Sequence, residues 1–354
     1  MTEKIDLLSL LPEEIETYLA SLGQPRYRAK QIFDWCRRGT PIEAMSNLPA
    51  ALRGTLAERC EWRLPTVKVR QTSALDGTVK YLFRLLDGNC VESVLMRYHH
   101  GTTLCISSEV GCPMGCKFCA STIGGKVRNL TPSEMLGQII AASLDAGERI
   151  DGVVLMGIGE PLDNYDNVMK FLRLVGHPAG LNIGYRHISL STCGIVPRIY
   201  DLAKEDLPIT LSVSLHAATD EARSAIMPVN RRYPVAELLR ACADYFRVTG
   251  RRISFEYTLI AGKNDSTRDA EVLADVLLTH LGRVPIHVNL IRVNEVAETG
   301  FRHGTAAEAN AFAEVLTRRG IVATVRRRLG ADIDAACGQL RKKQADNNET
   351  GNKA

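Results

Sequence analysis

The sequence lacks the long apolar run that a membrane-spanning helix requires. None of its 354 residues lies in a stretch that approaches the roughly 20 uninterrupted apolar residues of a bilayer span. The first residues, MTEKIDLLSLLPEEIETYL, are acidic and amphipathic, unlike a secretory signal. We therefore expect a cytoplasmic protein with no membrane partner, in which cysteine thiols stay reduced.

The chain also lacks a large excess of charge of one sign. It has 44 Lys and Arg against 40 Asp and Glu, which gives a formal net charge of +4. That balance permits a nucleic-acid partner without demanding one. The basic residues occur in short clusters such as Arg231-Arg232, which are equally consistent with a solvated surface.

Apolar periodicity divides the chain into four parts. Residues 61–100 alternate polar and apolar residues around Asp-Gly turns, which indicates a β-rich linker. Residues 101–340 alternate strand and helix patterns, and residues 341–354 form a polar tail that we expect to be disordered. Residues 1–60 show helical spacing in three segments, which predicts a helical accessory domain with exposed basic side chains. These are Arg26, Arg28, Lys30, Arg37 and Arg38.

Six short apolar runs follow one another from about residue 102 onward, with helical segments between them. The runs are continuous and have polar residues at their ends, as parallel strands buried on both faces do. This alternation predicts an α/β fold with a parallel sheet or partial barrel. Polar residues gather just after the strands, where β/α barrels place their active sites. The runs are TTLCISS, DGVVLMG, RHISLST, ITLSVSLH, RISFEYTLI and IHVNLIRVN.

Three of the ten cysteines, Cys112, Cys116 and Cys119, lie in one short loop, GCPMGCKFCAS, without a fourth thiol. A structural zinc site usually has four ligands, so zinc would need another ligand from elsewhere. Thiolates are the normal ligands of iron-sulfur clusters, and three of them leave one iron of a [4Fe-4S] cube open. We favour the cluster because the strand-loop-helix context is unlike a zinc ribbon.

The spacing of these cysteines, with Phe118 directly before the last one, resembles the motif of the radical S-adenosylmethionine (SAM) superfamily. The resemblance implies a partial (β/α)6 barrel, in agreement with the six runs. It also implies that the open iron binds S-adenosyl-L-methionine, from which one electron of the cluster releases a 5′-deoxyadenosyl radical. The cofactor would then be the missing fourth ligand.

A narrower resemblance covers nearly the whole chain. The last of five matching blocks favours the RlmN branch of the RlmN/Cfr family of RNA adenine methyltransferases, which methylates carbon 2 of an adenine in 23S ribosomal RNA and also in transfer RNA. Arg292 stands where that branch would have a proline and is closer to Cfr, which methylates carbon 8. A non-catalytic RNA-binding protein stabilised by a metal is the alternative from another class. The blocks are LCISSEVGCPMGCKFCAST, VLMGIGEPLDN, ISLSTCGIVP, SVSLHAATDEARSAIMPVN and GADIDAACGQLR.

The resemblance implies chemistry that needs two further cysteines. Carbon 2 of adenine is electron-poor, so the family first places a methyl group on a cysteine, here Cys337, and consumes two SAM molecules per turnover. Cys105 would release the product by attacking the Cys337 sulfur, which forms a transient disulfide. Glu92 matches the family's proton acceptor. From pattern alone, Cys105 would be an inert buried cysteine and Glu92 an exposed strand carboxylate.

The resemblance also implies which residues contact SAM. Gly159 and Glu160 match the segment that binds its amino group through a charge-assisted hydrogen bond. Alone, they would indicate a turn. The other matching residues are Ser191, Ser214, Leu215, His216 and Asn294.

The same resemblance implies the partners of the reaction. The target adenine would have to leave its stack or lie in an unpaired loop. Residues 1–60 and the basic clusters would then bind phosphates of the RNA. A flavodoxin- or ferredoxin-type protein would donate the electron. We expect the enzyme itself to be a monomer.

Overall fold

The computed structural model of the chain describes residues 4–282, 284–294 and 300–333. The predicted methyl carrier Cys337 and the predicted tail 341–354 lie outside the described residues. Among the helices that are described, none is long and apolar enough to cross a membrane.

Helices form where the apolar spacing predicts them, and several begin with a capping box. Thr131, Ser266 and Thr305 each accept a hydrogen bond from the backbone N–H three residues later, where an acidic side chain bonds back. The α-helices of the described residues are α1 (Pro12–Ser21), α2 (Arg28–Arg37), α3 (Ala50–Arg59), α4 (Pro132–Ala146), α5 (Tyr165–Gly176), α6 (Val196–Leu202), α7 (Asp220–Ile226), α8 (Val235–Thr249), α9 (Thr267–Leu281) and α10 (Ala306–Arg318).

The strands of the described residues form one large sheet and two short pairs. The pairs are β1 with β2 and β7 with β8, and the large sheet has ten strands. The strands are β1 (Ile5–Asp6), β2 (Cys60–Glu61), β3 (Thr66–Thr72), β4 (Val79–Arg84), β5 (Cys90–Tyr98), β6 (Gly101–Cys105), β7 (Glu109–Val110), β8 (Arg128–Asn129), β9 (Gly152–Leu155), β10 (Ile188–Thr192), β11 (Thr210–Ser214), β12 (Ile253–Leu259), β13 (Ile286–Arg292) and β14 (Val322–Val325).

The order of the large sheet is β14-β13-β12-β11-β10-β9-β6-β5-β4-β3. The six predicted runs are consecutive parallel strands of this sheet, β6 and then β9 to β13, and β14 continues it in the same direction. This confirms the predicted α/β fold with a partial barrel. The strands β3, β4 and β5 pair antiparallel and join the sheet at β6, so residues 66–98 extend the barrel sheet.

The N-terminal segment packs against the barrel helices α4 and α5 through residues 7–9, which precede α1. Leu7, Leu8 and Leu19 are fully buried and belong to the same apolar cluster as the barrel residues. Ser133, at the start of α4, donates a hydrogen bond from Oγ to Asp6 Oδ2 at 2.6 Å. The N-terminal helices therefore share one core with the barrel.

Arg37 was expected among the exposed basic residues, and this expectation is wrong. Its side chain is buried, with 6% exposed. The guanidinium donates to the carbonyl oxygen of Leu8 at 3.0 Å and lies 4.5 Å from the centre of the Phe33 ring. Arg37 therefore ties α2 to the segment before α1 and presents no charge to a partner.

Candidate functional site

A cavity of about 270 Å³ opens at the carboxyl ends of the parallel strands. Each lining segment follows or ends a different strand, because parallel strands bring their carboxyl ends to one edge of the sheet. Leu215 does not line the cavity, although both of its neighbours do. The predicted site residues that line it are Cys112, Cys116, Cys119, Gly159, Glu160, Ser191, Ser214, His216 and Asn294.

Two glycines allow the backbone to approach closely on one side of this cavity. Gly111 has φ +77°, and a Cβ there would lie 1.9 Å from the carbonyl oxygen of Gly125. Gly159 has φ +107°, and a Cβ there would lie 2.6 Å from Cβ of Glu109. Any side chain at either position would displace the cysteine loop or the loop after β9.

The cysteine loop lies against an apolar wall. Cys116 is buried in a cluster with Cys193, Ile226 and Met227. Burial raises the pKa of the Cys112 thiol to about 12 and also raises that of Cys116. An iron-sulfur cluster held by these thiols would have to displace their protons.

The thiol arrangement distinguishes a cluster from a single metal ion. Within the described residues, no three His, Cys, Asp or Glu side chains converge on one point as ligands of one ion do. A [4Fe-4S] cluster does not require such convergence, because each thiolate binds a different iron. Three thiols on the wall of a largely apolar cavity are compatible with such a cluster.

Glu160 uses its carboxylate to hold two loops together. It is 3% exposed. Its Oε1 accepts from the backbone N–H of Leu162 at 3.0 Å, and its Oε2 accepts from that of Cys193 at 2.7 Å. Burial raises the pKa of this carboxyl group despite these bonds. The side chains of Thr192 and Cys193 also hydrogen-bond to this carboxylate, which lies on the cavity lining.

His216 is held as a neutral donor. Its Nδ1 accepts from the backbone N–H of Thr258 at 3.0 Å, which places the ring proton on Nε2. Burial, assisted by the charge of Arg223, lowers the pKa of His216 to about 3. The ring meets Phe118 edge to face, with centroids 4.8 Å apart. His216 therefore both holds the backbone of Thr258 and lines the cavity.

Cys105 ends β6 and is buried without lining the cavity. Burial raises the pKa of its thiol to about 11; the charge of Arg326 opposes this and the charge of Glu92 adds to it. The backbone of Met156, which lines the cavity, hydrogen-bonds to this thiol, so Cys105 lies next to the cavity wall. Cys105 forms no disulfide with any described cysteine, and Cys337, its predicted partner, lies outside the described residues.

Glu92 is not the exposed strand carboxylate that pattern alone suggested. It is 4% exposed, and its Oε2 lies 3.6 Å from Nζ of Lys80, which is also fully buried. The backbone carbonyl of Glu92 accepts from Oγ of Ser107 at 2.7 Å. The ion pair with Lys80 fixes the position of Glu92 on β5, the strand that pairs with β6 and therefore lies next to Cys105.

Sequence reasoning missed two buried charges at the site. Oε1 of Glu109 pairs with Nζ of Lys126 at 2.7 Å, while its Oε2 accepts from the backbone N–H of Glu160 at 2.9 Å. Burial raises the pKa of Glu109 to about 7. Arg223 is fully buried behind the loops that follow β10 and β11. Both residues lie inside matching blocks, but only the fold shows that their charges are buried.

Comparison with known proteins agrees with this site. Residues 106–273 match the Radical SAM superfamily, and residues 5–61 match the ribosomal RNA large subunit methyltransferase N-terminal domain. The solved structure of a radical SAM methyltransferase from Sphaerobacter thermophilus is similar to the chain, with a TM-score of 0.89 and 44% identity; the match covers 95% of this chain and 98% of that one.

Curated relatives match over almost their whole length. A protein of Alkaliphilus oremlandii named "Probable dual-specificity RNA methyltransferase RlmN" is 50% identical, over 98% of this chain and 100% of the relative. A protein of the same name from Clostridium acetobutylicum is 49% identical, over 97% of this chain and 99% of the relative. The chain therefore belongs to the RlmN family of RNA methyltransferases and contains a radical SAM domain.

Proposed function

We propose that this enzyme methylates carbon 2 of one adenine in 23S ribosomal RNA, with transfer RNA as a second substrate. The observation that carries the proposal is the single cavity on which Cys112, Cys116 and Cys119 meet the predicted cofactor residues. Its close relatives bear the name of a dual-specificity RNA methyltransferase, which supports two RNA substrates. We place the reaction in the cytoplasm, with a flavodoxin- or ferredoxin-type electron donor.

The three cysteines would hold a [4Fe-4S] cluster, which with SAM on its open iron supplies a deoxyadenosyl radical. His216 presents its Nε2–H to the cavity as a donor, because its Nδ1 is already used. Glu160 offers an acceptor for an ammonium group. Ser191, Ser214 and Asn294 add polar groups on the same lining, and Met227 adds an apolar side chain beside them.

Cys337 would carry the methyl group that reaches the RNA, after taking it from a first SAM molecule. A second SAM molecule would supply the radical that activates this methyl group, so two would be used per turnover. Once the carbon had bonded to the base, the Cys105 thiolate would attack the Cys337 sulfur, and the new S–S bond would replace the S–C bond. The departing carbon would take up a proton to become the methyl group, and the unpaired electron left by radical addition would return to the cluster. Glu92, held by Lys80, would accept the proton that the ring loses.

Arg292 favours a second candidate product. It ends β13, directly before Val293 and Asn294, which line the cavity. Its place there matches the Cfr pattern, so 8-methyladenosine is the alternative product.

Mass spectrometry of nucleosides from cells with and without the gene tests the proposal. We expect 2-methyladenosine in 23S ribosomal RNA and in transfer RNA only when the gene is present. Loss of 8-methyladenosine instead would establish the Cfr-like reaction. Unchanged methyladenosines in both RNAs would contradict the proposed function.

A further inference from the structure

Arg223 is a buried cation with neutral partners. Its side chain is fully buried on α7. Nε donates to the carbonyl oxygen of Leu215 at 3.0 Å, and Nη2 donates to those of Cys193 at 2.7 Å and Ser214 at 3.0 Å. Nη1 donates to Oδ1 of Asn230 at 3.0 Å. These four acceptors are all uncharged.

The described part of the chain supplies only an indirect counter-charge. Asp220 is hydrogen-bonded to Nδ2 of Asn230 at 3.1 Å and reaches Arg223 through that amide. None of the ion pairs between described residues includes Arg223. A buried charge without a paired opposite charge is costly, so an anion is expected nearby in the working enzyme.

The cysteine loop lies next to this cation. The carbonyl of Ile226, at the end of α7, accepts from the backbone N–H of Lys117 at 2.9 Å. Ile226 also packs with Cys116 and Cys193. A [4Fe-4S] cluster on three thiolates is net anionic, and becomes more so when it takes up an electron.

We propose that Arg223 is the counter-charge of the cluster and raises the potential at which the cluster takes up an electron. This inference rests on the cluster of the proposed function. Arg223 does not line the cavity, so it is a positioning residue. It fixes the carbonyls of the loops that follow β10 and β11, and it places a positive charge behind Cys116. Net charge and hydrogen bonding near the sulfurs are known determinants of cluster potentials.

The test is a redox titration of the reconstituted full chain without SAM, followed by electron paramagnetic resonance of the reduced cluster. Arg223→Gln should lower the ratio of reduced to oxidised cluster at a fixed potential about tenfold, which is 59 mV for one electron. Arg223→Lys keeps the charge and should change the ratio much less. Asp220→Asn removes the remote negative charge and should raise the ratio.

The outcomes separate this inference from the proposed function. A wild-type chain that forms no [4Fe-4S] cluster would contradict the proposed function itself. If the wild type forms the cluster but the Lys and Gln variants titrate alike, the charge of Arg223 has no such role. If Arg223→Gln does not assemble a cluster, Arg223→Lys and Asp220→Asn still decide the matter. A fall in the ratio for Asp220→Asn would overturn the inference.

Discussion

Ser73 donates a hydrogen bond from Oγ to Oδ1 of Asp332 at 2.6 Å, across 259 positions of the chain. The other oxygen of Asp332 accepts from the backbone N–H of Ala74 at 2.8 Å. Nearby, the backbone N–H of Gly330 donates to Oδ2 of Asp76 at 2.9 Å. Because β3 and β14 are the two ends of the sheet order, these contacts join the ends of the sheet to each other.

Asp332→Ala should separate RNA methylation from radical formation. Cys337, the proposed methyl carrier, follows five positions later in the sequence. If the contacts of Asp332 serve to place that carrier, RNA methylation should fall about 10²-fold without them. Reductive cleavage of SAM to 5′-deoxyadenosine should persist, because Asp332 does not line the cavity.

Both products can be quantified by mass spectrometry in one reaction. Asp332→Asn retains one acceptor oxygen, so its RNA methylation should fall less than that of Asp332→Ala. Equal losses of methylation and SAM cleavage in Asp332→Ala would instead indicate general damage to the fold.

Gly111→Ala should prevent cluster assembly. The new Cβ would meet the Gly125 carbonyl at 1.9 Å, and φ is +77°, so the cysteine loop must shift. Iron and sulfide per chain after anaerobic reconstitution measure the effect. Gly262→Ala is a matched control, with φ +67° and no atom within 4 Å of its Cβ; it should assemble a normal cluster. Normal iron content in Gly111→Ala would refute the steric argument.

Cys105→Ala should trap the reaction as a protein–RNA conjugate. The variant keeps Cys337, the proposed methyl carrier, but lacks the thiol that we propose resolves the adduct. A denaturing gel of protein made in cells should show a slow band that nuclease removes. The double variant with Cys337→Ala should show none. A single band at the mass of the protein, from a folded Cys105→Ala variant with an intact cluster, would exclude the assigned role.

His216→Gln should flatten the acid side of the stability profile of the apoprotein. The pKa of His216 is lowered from 6.5 to about 3 in the fold, so between these values the unfolded chain binds more protons. The free energy of unfolding of the wild type therefore falls as pH falls below 6.5, by up to about 1.4 kcal/mol per pH unit. Urea denaturation between about pH 5 and 7 measures the slope; identical slopes would contradict the burial argument.

Charge reversal on the N-terminal helices should weaken RNA binding. Deleting these helices is unsuitable as a test, because they share a core with the barrel. Lys30→Glu combined with Arg38→Glu changes exposed positions only. Affinity should fall, and the slope of log affinity against log salt should decrease by about 0.7 per lost contact. Lys204→Glu, also exposed, is the control. If the double variant and Lys204→Glu bind RNA with the same affinity and the same salt dependence, RNA does not dock on this surface.

The parts of the fold that depend on local pattern could be predicted from the sequence. Continuous apolar runs predicted the parallel strands, and the matching sequence blocks predicted the family. Buried charges could not be predicted, since Arg and Glu are exposed by default. Glu92 and Arg223 are buried because the fold supplies Lys80 and backbone carbonyls to them, which only long-range packing determines.

The order of the large sheet also has a consequence for how the chain folds during synthesis. From β3 to β14, every hydrogen-bonded neighbour in that sheet is the next of its strands along the chain. Each strand can therefore add to a growing edge as it leaves the ribosome, without waiting for distant partners. The Ser73–Asp332 bond is different, because its two halves are separated by nearly the whole barrel. The contacts between the two ends of the sheet therefore form only when translation is almost finished, on strands that have already paired.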